Sequence, residues 1–209
     1  MIIPAILTDD KDEFVKMLSV CKKFAPYLQI DVMDGQFVPS CSVDMKSLVG
    51  LKSPLGCEAH LMVNDPLPWI DVFKEFGAER IIFHYEIVFD RERVINRIRQ
   101  KGLSAGLAVN PDSKIEDFRY LIDKIDLVLF MSVVPGFYGA KFIPSVLDKI
   151  KEFKRLYPAK KTAIDGGIKI DNVKEVFDIG IDHICVGSAV LKAVSPQDAY
   201  KQFLAAVEK

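Results

Sequence analysis

"LQIDVMDGQFVP", Leu28 to Pro39, is an apolar run with an amide and a carboxylate at alternate positions, and it breaks at Gly35. Side chains alternate across a strand with period two, so Gln29, Asp31 and Met33 share one face. The stretch reads as a strand that carries polar groups into an apolar setting and ends in a turn. The rest of the chain has to explain why.

The same grammar, a short apolar run and then a segment of helical period, recurs eight times. "IIPAIL" leads to a helix predicted from about Asp10 to Phe24, with Phe14, Met17, Leu18 and Cys21 on one stripe. "YLQIDV" precedes a short helix near "DMKSLVGL", and "GCEAHLMV" precedes "PLPWIDVFKEFG", where Pro66 and Pro68 suit a helix start. "RIIFHYE" precedes "RERVINRIRQKG", which closes on Gly102, and "SAGLAVN" precedes a helix in "SKIEDFRYLID". "IDLVLFMSV", "KTAID" and "DHICVG" are each followed in turn by a helical pattern. Strands this continuously apolar argue for a parallel sheet covered on both faces. Eight such units in 209 residues fit an α/β fold of the single-domain (β/α)8 TIM barrel type, spanning residues 1–209. An open doubly wound sheet would show a long crossover or a GxGxxG after its first strand, and neither is present. No linker or low-complexity segment divides the chain.

Composition narrows the partners. Half the residues are hydrophobic and 27% are charged, as in a soluble globular protein. A net charge of -1 supplies no basic field for a nucleic acid. No apolar run is long enough to span a bilayer, and the start "MIIPAILTDD" lacks a basic flank and cleavage site. The expectation is a cytoplasmic protein with neither nucleic-acid nor membrane partners. Cys21, Cys41, Cys57 and Cys185 lie far apart without a CxxC pair, and read as small buried residues.

In a barrel of this type the chemistry sits where strands end and the following loops begin. Asp31 falls there, on the face of Gln29 and Met33. Asp34, of opposite parity and beside Gly35, is expected to bond the turn backbone. "AIDGG" puts Asp165 at the end of the seventh strand with Gly166 and Gly167 behind it. "VGSAV" places Gly187 and Ser188 at the start of a short helix after the eighth. Glycine-rich turns after strands seven and eight expose backbone N–H groups to an anion, the usual barrel phosphate site. "PGFYGAKF" after strand six offers Gly136 and Gly139 as hinges of a covering loop. His60 and Met62 share a face at the end of the third strand. His84 ends the fourth and could orient a neighbour, whereas His183 opens the eighth and reads as structural. Met33, Met62 and Met131 would form a dry collar around one mouth.

Taken in order, "IDVMDGQFVP", "HLMV", "MSVVPGFYGAKFIP" and "DGG" resemble the motifs of ribulose-phosphate 3-epimerases, from "IIPAIL" to "VGSAVLKA". The resemblance implies an isomerase that interconverts ribulose 5-phosphate and xylulose 5-phosphate, or a close ketose phosphate. It implies that Asp31 and Asp165 transfer the protons, and that both hold a divalent metal ion (Zn, Fe, Mn or Mg) together with His60. It further implies that Gly166, Gly167, Gly187 and Ser188 hold phosphate, with His60 at the substrate and Gly136 and Gly139 in the covering loop. The chemistry asks for such residues. Inverting a carbon beside a ketone removes a proton from one face and returns one to the other, and the enediolate between needs positive charge or strong hydrogen bonds. Small barrels of this kind often associate, so a homo-oligomer is expected.

Four positions depart from the family pattern. Gln29 stands where the family has a metal-binding His. Ile3 and Ala5 flank Pro4 in place of serines, Tyr138 and Ala140 replace a glycine and a glutamine, and Gln36 replaces a second His. A glutamine offers only a neutral oxygen where a histidine offers a nitrogen suited to zinc or iron. A site of Asp31, His60, Asp165 and the Gln29 oxygen is therefore expected to bind zinc weakly, to favour manganese or magnesium, or to hold no ion. The alternatives to a working 3-epimerase are a related barrel enzyme on another phosphorylated substrate and a catalytically impaired phosphosugar-binding barrel. A decarboxylase or aldolase of the DxKxxD type would need a lysine that "DVMDG" lacks.

Overall fold

Eight parallel strands close on themselves in chain order, β1 pairing with both β2 and β8. They are β1 (Ile2–Ile6), β2 (Tyr27–Met33), β3 (Gly56–Met62), β4 (Arg80–His84), β5 (Ser104–Val109), β6 (Leu127–Met131), β7 (Lys161–Asp165) and β8 (His183–Val186). This is the single-domain (β/α)8 barrel expected from the sequence. The computed structural model describes residues 1–136 and 140–208.

Period two sorts each strand into two cores. Outward residues such as Ile30, Val32, Leu61, Phe83, Val128, Phe130 and Ile164 join the layer beneath the helices. Inward residues (Ile3, Ala5, Ile82, Ala108, Leu127, Leu129, Met131, Ala163 and Cys185) fill the barrel. Both faces are buried, which is why the strands read as continuous apolar runs.

The helices are α1 (Lys11–Cys21), α2 (Met45–Leu48), α3 (Leu67–Phe76), α4 (Arg91–Gln100), α5 (Ile115–Phe118), α6 (Ser145–Leu156), α7 (Val173–Asp178), α8 (Ser188–Leu191) and α9 (Pro196–Val207). Their ends follow local chemistry. The Asp10 carboxylate accepts from Glu13 N at 2.7 Å to start α1, and the Asp90 carboxylate from Glu92 N at 2.9 Å to start α4. Gly102 follows α4 at φ 69°, the stop its sequence predicts.

Three expectations are corrected. The first helix ends at Cys21 rather than Phe24, and Phe24 instead packs its ring 5.1 Å from that of Tyr200 on α9. "SKIEDFRYLID" is not one α-helix, because α5 gives way to a 3-10 segment over Arg119–Lys124. Its buried Ile115, Phe118 and Leu121 are spaced by three, the period at which 3-10 side chains align. Cys41 is exposed while Cys21, Cys57 and Cys185 are buried as expected. It lies in the loop outside the barrel, in an isolated bridge with Asp34. Among the described residues no helix is long and apolar enough to cross a membrane.

Candidate active site

Strand register brings the polar residues together. Asp31 on β2 pairs with His60 on β3, Met33 with Met62, and Ala5 on β1 with Gln29. Across the barrel, Asp165 on β7 lies between Met131 of β6 and Cys185 of β8. A cavity of about 580 Å³ opens over these strand ends, lined by Asp31, Asp165, the three methionines, Gly136, Gly166, Gly167, Gly187 and Ser188. Asp31 is 7% exposed and Asp165 9%, so both carboxylates reach the cavity from an almost closed setting.

Gln29 lies behind them, fully buried. Its Nε2 donates to Asp31 Oδ1 at 2.8 Å and to Asp165 Oδ2 at 2.7 Å, and its Oε1 accepts from Cys185 Sγ at 3.1 Å. The partners fix this orientation, since the two carboxylate oxygens facing the amide accept and the thiol can donate. Burial pushes the Cys185 thiol up, which keeps its proton in place. The amide therefore turns its nitrogen, not its oxygen, toward the carboxylates.

His60 is also fully buried and does not line the cavity. Its Nδ1 lies 3.0 Å from Asp31 Oδ1 and 3.4 Å from Asp165 Oδ2, the oxygens that Gln29 contacts. Burial alone would lower its pKa, but hydrogen bonds and charges from Asp165 and Asp31 outweigh that and hold His60 at about 9. Burial and the neighbouring Asp165 carboxylate push Asp31 up to about 6, against hydrogen bonds from His60 and Gln29. His84, behind His60, is driven by burial down to about 4.

Other expectations fall into place around this centre. Asp34 Oδ1 accepts from the backbone N–H groups of Gln36 and Phe37 at 2.9 Å, and its Oδ2 from Asn64 N at 2.7 Å, the structural task foreseen for it. His183 opens β8 at the opposite end of the barrel, away from the chemistry. Gly136 is tied to the β2 loop by Ser40 Oγ, which donates to its carbonyl at 2.5 Å. Gly139 and Tyr138 lie outside the described residues. Gly166 and Gly167 adopt φ 110° and 64°, a region that other residues avoid. A Cβ on Gly167 would stand 2.8 Å from Phe142 N.

The sequence reading missed three features. Ser132 Oγ donates to the carbonyls of Asp165 at 3.0 Å and Gly166 at 2.6 Å, fixing the strand end that carries the carboxylate. Glu86 receives Asn110 N at 2.8 Å and the Ser113 hydroxyl, and lies 3.2 Å from His84 Nδ1. Lys169, just past the glycine turn after β7, and Lys192, at the end of α8, line the cavity as well. Buried serines and loop acids carry no periodic signal, so position alone did not single them out.

Asp31, His60 and Asp165 each offer a ligand atom within 4.8 Å of the others, an arrangement that could hold a metal ion. Two carboxylates and an imidazole on rigid strands are a donor set that suits a divalent cation. The residues present thus fit such an ion through three ligands, with the Gln29 nitrogen facing them.

A (β/α)8 barrel with two carboxylates at its mouth is the frame of an acid–base enzyme. The chain belongs to the ribulose-phosphate 3 epimerase family, which it matches over residues 1–191. It is 32% identical over 203 residues to the ribulose-phosphate 3-epimerase of Schizosaccharomyces pombe (strain 972), covering 94% of this chain and 89% of that one. Identity to the ribulose-phosphate 3-epimerase of Bacillus subtilis (strain 168) is 34% over 197 residues, covering 90% of this chain and 91% of the relative. In fold alone it resembles a 3-hexulose-6-phosphate synthase from Salmonella typhimurium, with a TM-score of 0.73 at 16% identity over 99% of this chain and 98% of that one.

Proposed function

We propose that this chain is a sugar-phosphate 3-epimerase that interconverts ribulose 5-phosphate and xylulose 5-phosphate by moving the C3 proton between Asp31 and Asp165. The observation that carries this reading is the single amide of Gln29 holding one oxygen of each carboxylate while both residues line the cavity.

A substrate carbon between the two carboxylates can lose its proton to one and regain one from the other, which inverts it. The pair works with one proton between its members, so the residue that accepts in one direction donates in the other. Asp31, held at about 6, is largely ionised at neutral pH yet more basic than an ordinary aspartate. Gln29 and His60 bind the inner oxygens and keep the carboxylates from swinging. Met33, Met62 and Met131 wall the site with apolar surface, which strengthens electrostatic interactions at the reacting carbon. The turns at Gly166, Gly167, Gly187 and Ser188 offer backbone donors to the phosphate, and Lys169 and Lys192 add positive charge. A divalent ion held by Asp31, His60 and Asp165 would supply positive charge to offset the negative charge developing on the substrate oxygens.

The reading extends to a reducing compartment, the cytoplasm, which suits four unpaired thiols, and to a homo-oligomer that sedimentation would reveal. The test of the activity is exchange of the C3 proton of ribulose 5-phosphate with deuterated solvent. Wild-type protein exchanges it, and Asp31→Asn or Asp165→Asn loses at least about 10²-fold in rate. Exchange at the wild-type rate in either variant sinks the two-carboxylate reading.

A further inference from the structure

Gln29 sits at a point where its two ends meet opposite demands. Its nitrogen bridges Asp31 Oδ1 and Asp165 Oδ2, the oxygens that also face His60 Nδ1. A cation drawn to that group would meet N–H hydrogens pointing toward it. The amide can remove the conflict without changing its shape, because half a turn about its terminal bond exchanges nitrogen and oxygen, and that torsion is broad and two-fold.

Such a turn is open only if the other side tolerates both ends. Cys185 does. Its thiol donates to Gln29 Oε1 at 3.1 Å in this structure, and its sulfur can equally accept from an amide N–H. A main-chain carbonyl or a lysine in that place would lock the amide one way. Cys185 is buried and in register with Asp165 on the adjoining strand, so the pairing is held by the barrel itself.

We infer that Gln29 and Cys185 form a two-position ligand device: the amide nitrogen clamps Asp31 and Asp165 in the ion-free protein, and the amide oxygen turns in as a further ligand when a divalent cation binds. The inference rests on the reading that Asp31, His60 and Asp165 hold that cation. It assigns Cys185 a positioning role, accepting from the amide N–H in the loaded state.

The test follows the Gln29 side-chain amide by NMR in nitrogen-15-labelled full-length protein, with zinc as a diamagnetic probe and zinc content read by equilibrium dialysis. The Gln29 signal is assigned by its loss in Gln29→Glu. Should that variant fail to fold, Cys185→Ser provides the assignment, since its hydroxyl also donates and accepts and moves the same signal. The expected result is stoichiometric zinc and an upfield shift of both amide protons as they leave the carboxylates for sulfur. Zinc bound with the amide protons unmoved overturns the device and leaves the three-ligand site standing. Failure to bind either zinc or, in a parallel dialysis, magnesium overturns the device and the metal site together, while C3 exchange reports separately on the epimerase reading.

Discussion

The imidazole rings of His60 and His84 meet with their Nε2 atoms 3.0 Å apart, so one nitrogen carries a proton and the other accepts it. Glu86 decides which. Its pKa is lowered, despite burial, by hydrogen bonds from His84, the Ser113 hydroxyl and the Asn110 N–H, so it is a carboxylate that takes the Nδ1–H of His84. The neutral His84 then presents a bare Nε2, and His60 donates to it. On its other side His60 faces two acceptors, Asp31 and Asp165, so both of its nitrogens are protonated.

This chain of partners predicts two distinct rings by nitrogen-15 NMR at pH 7 in metal-free protein. His60 gives an imidazolium and His84 a neutral ring protonated on Nδ1. Two neutral rings would contradict the assignment. His84→Phe removes the acceptor from a buried N–H and should lower stability by about 1–3 kcal/mol in urea unfolding, with slower turnover as His60 loses its anchor.

The titrations set a pH optimum for stability. His60 is raised from 6.5 to about 9, so its contribution is complete below 6.5 and lost as pH rises through 9. His84 and His183 are both lowered from 6.5 to about 4, so theirs is present above 6.5 and lost as pH falls toward 4. Asp31, raised from 3.8 to about 6, opposes them over that acid range but is one group against two. Urea midpoints of metal-free protein should peak near pH 6.5 and decline on both sides. A steady rise from pH 6.5 to 9 would show that His60 is not held protonated by the carboxylates.

How much of this was open to reading from the sequence follows from range of interaction. Alternation within β2, β3 and β7 is local, and it placed Asp31, His60 and Asp165 on the lumen side at the right strand ends. Glycine turns after β7 and β8 marked the side proposed for phosphate in the same way. The orientation of Gln29 depends on Cys185, 156 residues away, and no local pattern encodes it. Glu86 likewise acquires its role only through contacts with His84 and Ser113 that closure of the barrel creates. Cys41 was misjudged because burial was inferred from residue type, while its loop lies outside both cores.

Gly167→Ala should separate binding from chemistry. The new Cβ would lie 2.8 Å from Phe142 N at φ 64°, so the turn must shift. The expected outcome is a loss of about 1–3 kcal/mol in stability and a KM for ribulose 5-phosphate raised about tenfold or more. The kcat should change much less, because Asp31 and Asp165 stay tied by Gln29. A large fall in kcat at unchanged KM would move Gly167 from phosphate binding to alignment of Asp165.

Metal binding should compete with protons at the same place. For His60 to serve as a ligand through Nδ1, that nitrogen must give up the proton it shares with Asp31, and Asp31 must be ionised. With His60 at about 9 and Asp31 at about 6, apparent zinc affinity should rise about tenfold per pH unit between pH 6.5 and 9. Calorimetry in buffers of different ionisation heat should record close to one proton released per ion at pH 7.5. Gln29→His replaces an amide donor by a nitrogen ligand and should raise affinity at every pH by more than about tenfold. A pH-independent affinity would mean that the ion does not bind through His60, and an unchanged affinity in Gln29→His would mean that Gln29 does not face the ion.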